Sequence, residues 1–199
     1  MIQTYKVICA RPDLWSVANA MRTWDEGLFR HSVSVADLAV LVARELGFSE
    51  REVGAVQLGG FLHDFGKTTW PKCLISKQEL SSDDIKIVQV HPLTGAALVK
   101  EHLPSIEELV LRIIEEHHEK PDGTGYPRAL KEIGPLSRVV SAVECFVALT
   151  EERPYRSRTY TPGEAVEIAL SGGFDSKTLG VVLKLLKKKE EGVVGIVGA

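Results

Sequence analysis

Apolar residues return every three or four positions along almost the entire chain, and the strict alternation of a half-buried strand is scarce. In HSVSVADLAVLVARELG, Val35, Leu38, Ala39 and Val42 form one stripe and Gly47 stops the run. A strand sends successive side chains to opposite faces and cannot keep such a stripe on one side, so the pattern imposes an all-α fold. Helix starts agree with it. Phe48 and Ser49 ahead of Glu52 and Val53 place a hydrophobic staple around a capping box. Ser81 with Asp84, Ser105 with Glu108, and Thr161-Pro162-Gly163-Glu164 mark three further starts. Helices are expected near residues 12–24, 28–46, 50–64, 82–101, 106–118, 135–150, 162–170 and 176–189. With 199 residues, 44% of them hydrophobic, the chain can bury one sizeable core, and a single unit over 1–199 is expected.

Composition narrows the partners. The formal net charge is -3 with 26% charged residues, so neither a long nucleic acid nor an anionic membrane is recommended as a partner, and attraction to an anionic ligand must be local. The LLKKKEE stretch reads as a solvated helix end whose lysines complement the helix dipole. Cys9, Cys73 and Cys145 are odd in number and lack metal-ligand spacing, which suits buried thiols in a reducing cytoplasm. The opening MIQTYKVICARPD is too short in apolar residues for a secretory leader, and no window is long enough to span a bilayer. A soluble cytoplasmic protein is therefore expected.

The histidines are placed unevenly. His31 lies near the beginning of an apolar helix, and His63 with Asp64 ends the run VQLGGFLHD just before Phe65-Gly66-Lys67. His91 comes late in the next amphipathic segment, ahead of Pro92, while His117 and His118 finish the one after. Buried imidazoles and carboxylates need partners, and five histidines with an aspartate, repeatedly at helix ends after apolar runs, point to a polynuclear metal site. His102, between Lys100-Glu101 and Leu103, lacks that context and reads as surface. Neighbours on a helix point about 100° apart, so His117 and His118 are expected to serve a wide cavity rather than bind one ion side by side. A carboxylate such as Asp64 can bridge two cations roughly 3.5 to 4 Å apart. Imidazole and carboxylate donors suit manganese, iron, nickel or zinc.

In HHEKPDGTGYP the histidine pair opens directly onto a loop in which Gly123 and Gly125 permit close backbone approach, Pro127 stiffens the exit and Tyr126 is presented beside the rings. An ordinary turn between helices would use the same residues; attachment to the histidine pair favours a substrate wall. Arg153-Pro154-Tyr155-Arg156 carries two guanidiniums able to grip phosphate oxygens or stack on a base, and Lys67, three residues after Asp64, can meet the same phosphate.

Taken together, His31-Ser32, His63-Asp64-Phe65-Gly66-Lys67, His91-Pro92, His117-His118-Glu119 with Asp122 to Pro127, and Ala148-Leu149-Thr150 through Arg156 resemble the HD-GYP subgroup of the HD-domain metal-dependent phosphohydrolase superfamily. The similarity runs from about residue 12 to 186. It implies an all-α HD-domain bundle of about seven or eight helices with a central metal site. The implied activity is hydrolysis of cyclic di-GMP to pGpG or GMP by a hydroxide bridging two divalent transition ions, iron or manganese first and nickel or zinc as alternatives. It also implies that His31, His63, Asp64 and Glu144 hold one ion and Asp64, His91, His117 and His118 the other. Lys67, Gly125, Tyr126, Pro127, Arg153 and Arg156 would form the substrate side, with Asp64 and Lys67 the catalytic pair.

Three positions depart from that pattern. Glu144 stands where the subgroup usually has aspartate, adding a methylene to a bond that must close at about 2.0 to 2.2 Å. Val147 replaces a further aspartate, and Gly27 occupies the place of a carboxylate that binds a third ion in some members, so two ions are expected. Two rivals stand beside the phosphodiesterase: a degenerate cyclic-dinucleotide receptor or signalling-protein partner, and a general HD phosphohydrolase acting on nucleotides.

Overall fold

The computed structural model describes residues 3–75, 77, 79–152 and 158–190, and among them regular structure is entirely helical. In chain order the helices are α1 Gln3–Ala10, α2 Pro12–Trp24, α3 Glu26–Glu45, α4 Glu50–Leu62, a 3-10 turn at Phe65–Thr69, α5 Lys72–Ile75, α6 Ser82–Gln89, α7 His91–His102, α8 Glu108–Glu116, α9 Pro135–Thr150, α10 Pro162–Ser171 and α11 Ser176–Glu190. The all-α expectation holds, and eleven α-helical segments among the described residues stand against the seven or eight expected. Two of the additions, α1 and α5, are short.

The third comes from a break. The helix expected over 82–101 divides at Val90, so His91 opens α7 instead of closing the segment before it. Pro92 is the cause: it has no N–H to give to the carbonyl of Val88, and its ring crowds that carbonyl in a continuous helix. The Val88 oxygen instead accepts a hydrogen bond from His91 Nδ1 at 2.6 Å. A helix break thus orients a side chain.

Capping boxes form at Ser49/Glu52, Ser81/Asp84 and Thr161/Glu164. Ser105 does not cap α8. That helix starts at Glu108 with Glu107 as its N-cap, because residues 103–106 close a tight turn, Ile106 N–H to Leu103 O, that buries Ile106 and leaves Ser105 outside. The cysteines also depart from expectation: Cys9 and Cys73 are exposed and Cys145 is half-buried. Helix α1 buries Thr4 and Ile8, and α5 buries Leu74, so the neighbouring thiols point outward.

One continuous core runs from Ile8 to Leu185. Within it α3 lies against α4 and α9, α4 against α8, α8 against α7, and α7 against the 3-10 turn. That circuit brings one end of each element to the same interior point. Phe61 and Leu62 are fully buried immediately before His63, which anchors the end of α4; truncating such a leucine to alanine typically costs about 2–5 kcal/mol. No helix among the described residues is long and apolar enough to cross a membrane.

Candidate metal centre

His31 from α3, His63 and Asp64 from the end of α4, His91 from the start of α7, and His117 and His118 from the end of α8 converge in the interior. Ring centroids lie 5.6 Å apart for His31 and His63, 4.9 Å for His63 and His117, 5.3 Å for His91 and His117, and 5.1 Å for His91 and His118. His63, His91 and His117 are essentially inaccessible to solvent.

Three of these rings are held in one way. His63 Nδ1 meets Gly60 O at 2.7 Å, His91 Nδ1 meets Val88 O at 2.6 Å, and His117 Nδ1 meets Ile114 O at 2.7 Å. A helix end or break leaves carbonyls without an amide donor one turn back, and a ring placed three residues on can donate to one. Since a carbonyl only accepts, each Nδ1 carries a hydrogen, and in the neutral ring each Nε2 turns a bare lone pair inward. His31 is held differently, its Nδ1 donating to the Glu151 carboxylate at 2.8 Å.

Asp64 lies between the lone pairs. Its Oδ1 is 3.2 Å from His91 Nε2 and 3.9 Å from His117 Nε2, and its Oδ2 is 3.2 Å from His63 Nε2 and 2.6 Å from Lys67 Nζ. His91 and His117 face each other Nε2 to Nε2 at 3.2 Å. Two bare nitrogens at that distance repel unless a cation draws on both. His63 Nε2 and Asp64 Oδ1 are buried and make no hydrogen bond among the described residues. The donors fall into two groups, His31-His63-Asp64 and Asp64-His91-His117-His118, the ligand atoms within each lying within 4.8 Å of one another. Convergent imidazole lone pairs around a buried carboxylate, with Nδ1 hydrogens committed elsewhere, fit a divalent transition metal.

The electrostatics favour bare lone pairs at His117 and His118 and, with no cation present, a protonated ring at His63. Burial opposes charge on Asp64, but the rings of His63 and His91 and the Lys67 ammonium outweigh it and hold the carboxyl well below its usual range. Burial, then neighbouring imidazoles, push His117 and His118 far down, so both stay neutral and available as ligands. For His63, burial opposes the charged ring, yet Asp64 and then Glu144 reverse the balance and raise it.

His117 and His118, expected to serve a wide cavity, lie close together at its wall. Helix α8 ends at Glu116, just before the pair, and their ring centroids lie 4.1 Å apart within one donor group. The loop beyond folds back onto them. Tyr126 N–H donates to His118 O at 3.1 Å, and its ring centroid is 4.6 Å from that of His118. Buried Glu119 accepts from Arg128 N–H at 2.7 Å and Leu130 N–H at 2.8 Å, which ties down the loop's far side. A side chain at Gly125 would run into the backbone of Glu119 and Lys120, so this loop closes only around glycine.

Residues 16–173 match the HD domain family. This chain belongs to the HD-domain family. Its relatives include a cyclic di-GMP phosphodiesterase of Pseudomonas aeruginosa, 30% identical over an alignment of 190 positions that covers 89% of this chain and 45% of the relative. The cyclic di-GMP phosphodiesterase response regulator RpfG of Xanthomonas campestris is 34% identical, covering 73% of this chain and 39% of that protein. The 3'3'-cGAMP-specific phosphodiesterase 1 of Vibrio cholerae is 30% identical, with 84% and 40% covered. The chain spans less than half the length of each of these three. Among solved structures, an HDG"Y"P protein from Bdellovibrio bacteriovorus superimposes with a TM-score of 0.66 at 26% identity, covering 80% of this chain and 52% of that one.

In this HD domain, then, His31, His63, Asp64, His91, His117 and His118 share one neighbourhood. Glu144 on α9 faces it, 4.0 Å from His31 Nε2, outside both close donor groups. Lys67 and Tyr126 border it, and Gly125 and Pro127 shape the adjoining loop. Val147 is buried in the core, and His102 is exposed, its Nδ1 bonded to Leu98 O. Arg153 and Arg156 lie outside the described residues. Sequence reasoning assigned no role to Glu119, Glu151 or Trp70, whose ring centroid is 5.7 Å from that of His91. Glu119 at least follows the histidine pair directly; Glu151 lies 120 residues from His31 and carries no local signal.

Proposed function

We propose that this HD domain is the catalytic part of a cyclic-dinucleotide phosphodiesterase of the HD-GYP subgroup, with cyclic di-GMP the first substrate to test and 3'3'-cGAMP the second. The observation that carries the reading is the division of the donors into two groups sharing Asp64. His31, His63 and Asp64, with Glu144 close by, would hold one divalent ion, and Asp64, His91, His117 and His118 the other, with iron or manganese preferred. When bound, such a pair supplies Lewis acidity that activates water and offsets charge on a phosphoryl group.

Hydrolysis adds water across one P–O3′ bond: the water oxygen bonds to phosphorus, and the 3′ oxygen departs and ends protonated. Lys67 stands beside Asp64 with its ammonium partly open to solvent, where it can meet a phosphate oxygen as negative charge develops. Burial, then Asp64 and Glu144, raise the Tyr126 phenol, so it stays protonated and can donate to the same group. Gly125 and Pro127 would set that wall, and Arg153 and Arg156 would take the second phosphate or a base. A cytoplasmic setting is proposed with this substrate. Metal-replete protein incubated with each dinucleotide and followed by chromatography tests the proposal: a linear product supports it, and intact substrate throughout overturns it.

The position of Glu144, outside both close donor groups, favours one alternative: a receptor that binds the dinucleotide without turnover, or a module that engages signalling proteins. Glu144→Asp separates the two, because a disabled site would gain turnover and a working one would not depend on the change.

A further inference from the structure

His63, His91 and His117 give their Nδ1 hydrogens to backbone carbonyls three residues back, so their orientation follows from the helix ends that carry them. His31 is held in a different way. It lies one and a half turns into α3, where each carbonyl one turn back already receives a main-chain amide. Its ring meets a partner on another helix. Helix α9 supplies one: Glu151, at its C-cap, accepts from His31 Nδ1 at 2.8 Å, while Glu144, seven residues earlier, places Oε1 4.0 Å from His31 Nε2. Residues seven apart lie on one face of a helix, so α9 presents a carboxylate to each ring nitrogen.

The two contacts differ in what they can do. His31 is 5% exposed and forms a donor group with His63 and Asp64, whereas the Glu151 side chain keeps 30% exposure and stands outside both donor groups. A carboxylate behind an imidazole fixes the hydrogen on the nearer nitrogen and makes the farther one a stronger donor to a cation. Resting on the metal-site reading above, we infer that Glu151 is the positioning residue for the His31-His63-Asp64 half of the centre, acting through the His31 tautomer.

The experiment uses the wild-type chain, Glu151→Ala, Glu151→Gln, His31→Ala and the double variant Glu151→Ala/His31→Ala. Manganese affinity is read by competition with a chromophoric chelator, and the His31 tautomer by ring-nitrogen NMR on metal-free protein. Glu151→Ala should weaken one metal equivalent by about 10–100-fold, leave the other unchanged, and mix the His31 tautomers. Glu151→Gln, which keeps an acceptor oxygen, should hold the tautomer and recover part of the affinity. On the His31→Ala background the Glu151 change should add nothing. Unaltered tautomer and affinity in Glu151→Ala, or the same further loss with His31 already removed, would overturn the inference while leaving the metal site standing. A wild-type chain that binds no manganese would overturn the metal-site reading itself, and the tautomer measurement would still judge the Glu151 contact.

Discussion

Asp64 is the side chain with most to lose. It is buried, its two oxygens face different histidines, and it belongs to both donor groups. Asp64→Ala should therefore remove both metal equivalents and lower turnover by more than the about 10²–10³ typical of losing one charge-stabilising group; elemental analysis and a cyclic di-GMP assay measure the two losses. Lys67 is a different case, since its ammonium neutralises Asp64 but is no metal donor. Lys67→Met should keep the metal content and reduce kcat, and lost metal with unchanged kcat would remove it from the substrate side. Glu144 entered the site only through the resemblance, and its distance from His31 was not legible. The added methylene lets the carboxylate lie where only the packing of α9 on α3 decides.

The helix ends explain why histidine recurs at them. A terminus offers a carbonyl without an amide partner, and an imidazole three residues on can take it and turn its other nitrogen to the interior. That logic was legible at His63 and His117, because apolar runs visibly stop there. It was missed at His91, where one helix was expected to run on through Pro92 although a new one starts there. Loop anchoring by Glu119 and the hold of Glu151 on His31 were not legible, because both depend on distant segments meeting. Gly66 shows the same dependence. A side chain there would strike the carbonyl of His91 and the amide of Gly95, so glycine lets the 3-10 turn press Asp64 and Lys67 against α7. Gly66→Ala should destabilise the fold by about 1–3 kcal/mol and reduce metal content, as read by thermal unfolding and elemental analysis. An unchanged midpoint would mean the turn has room to move.

The assembly as a whole stores its chemistry as a stability that depends on metal and pH. Burial, then neighbouring rings, keep His117 and His118 neutral, so as pH drops below about 6.5 the unfolded chain takes up protons that the folded one refuses, and stability falls. His63 acts in the opposite sense: its raised value contributes fully below about 6.5 and is lost as pH rises through it. Two lowered groups against one raised leave a net decline on acidification. Metal-free protein should unfold at a lower temperature at pH 5.5 than at pH 7.5, His118→Gln should flatten that difference, and a midpoint that rises in acid would contradict the balance. Manganese at about a hundred times its dissociation constant should add about 2.7 kcal/mol, a rise of roughly 5–10 °C for a chain of this size. The most direct test of the central claim is anomalous diffraction from crystals of the manganese-loaded protein. Two ions flanking Asp64, one beside His31 and His63 and the other beside His91, His117 and His118, are expected; a single ion, or a pair that Asp64 does not join, would contradict the account.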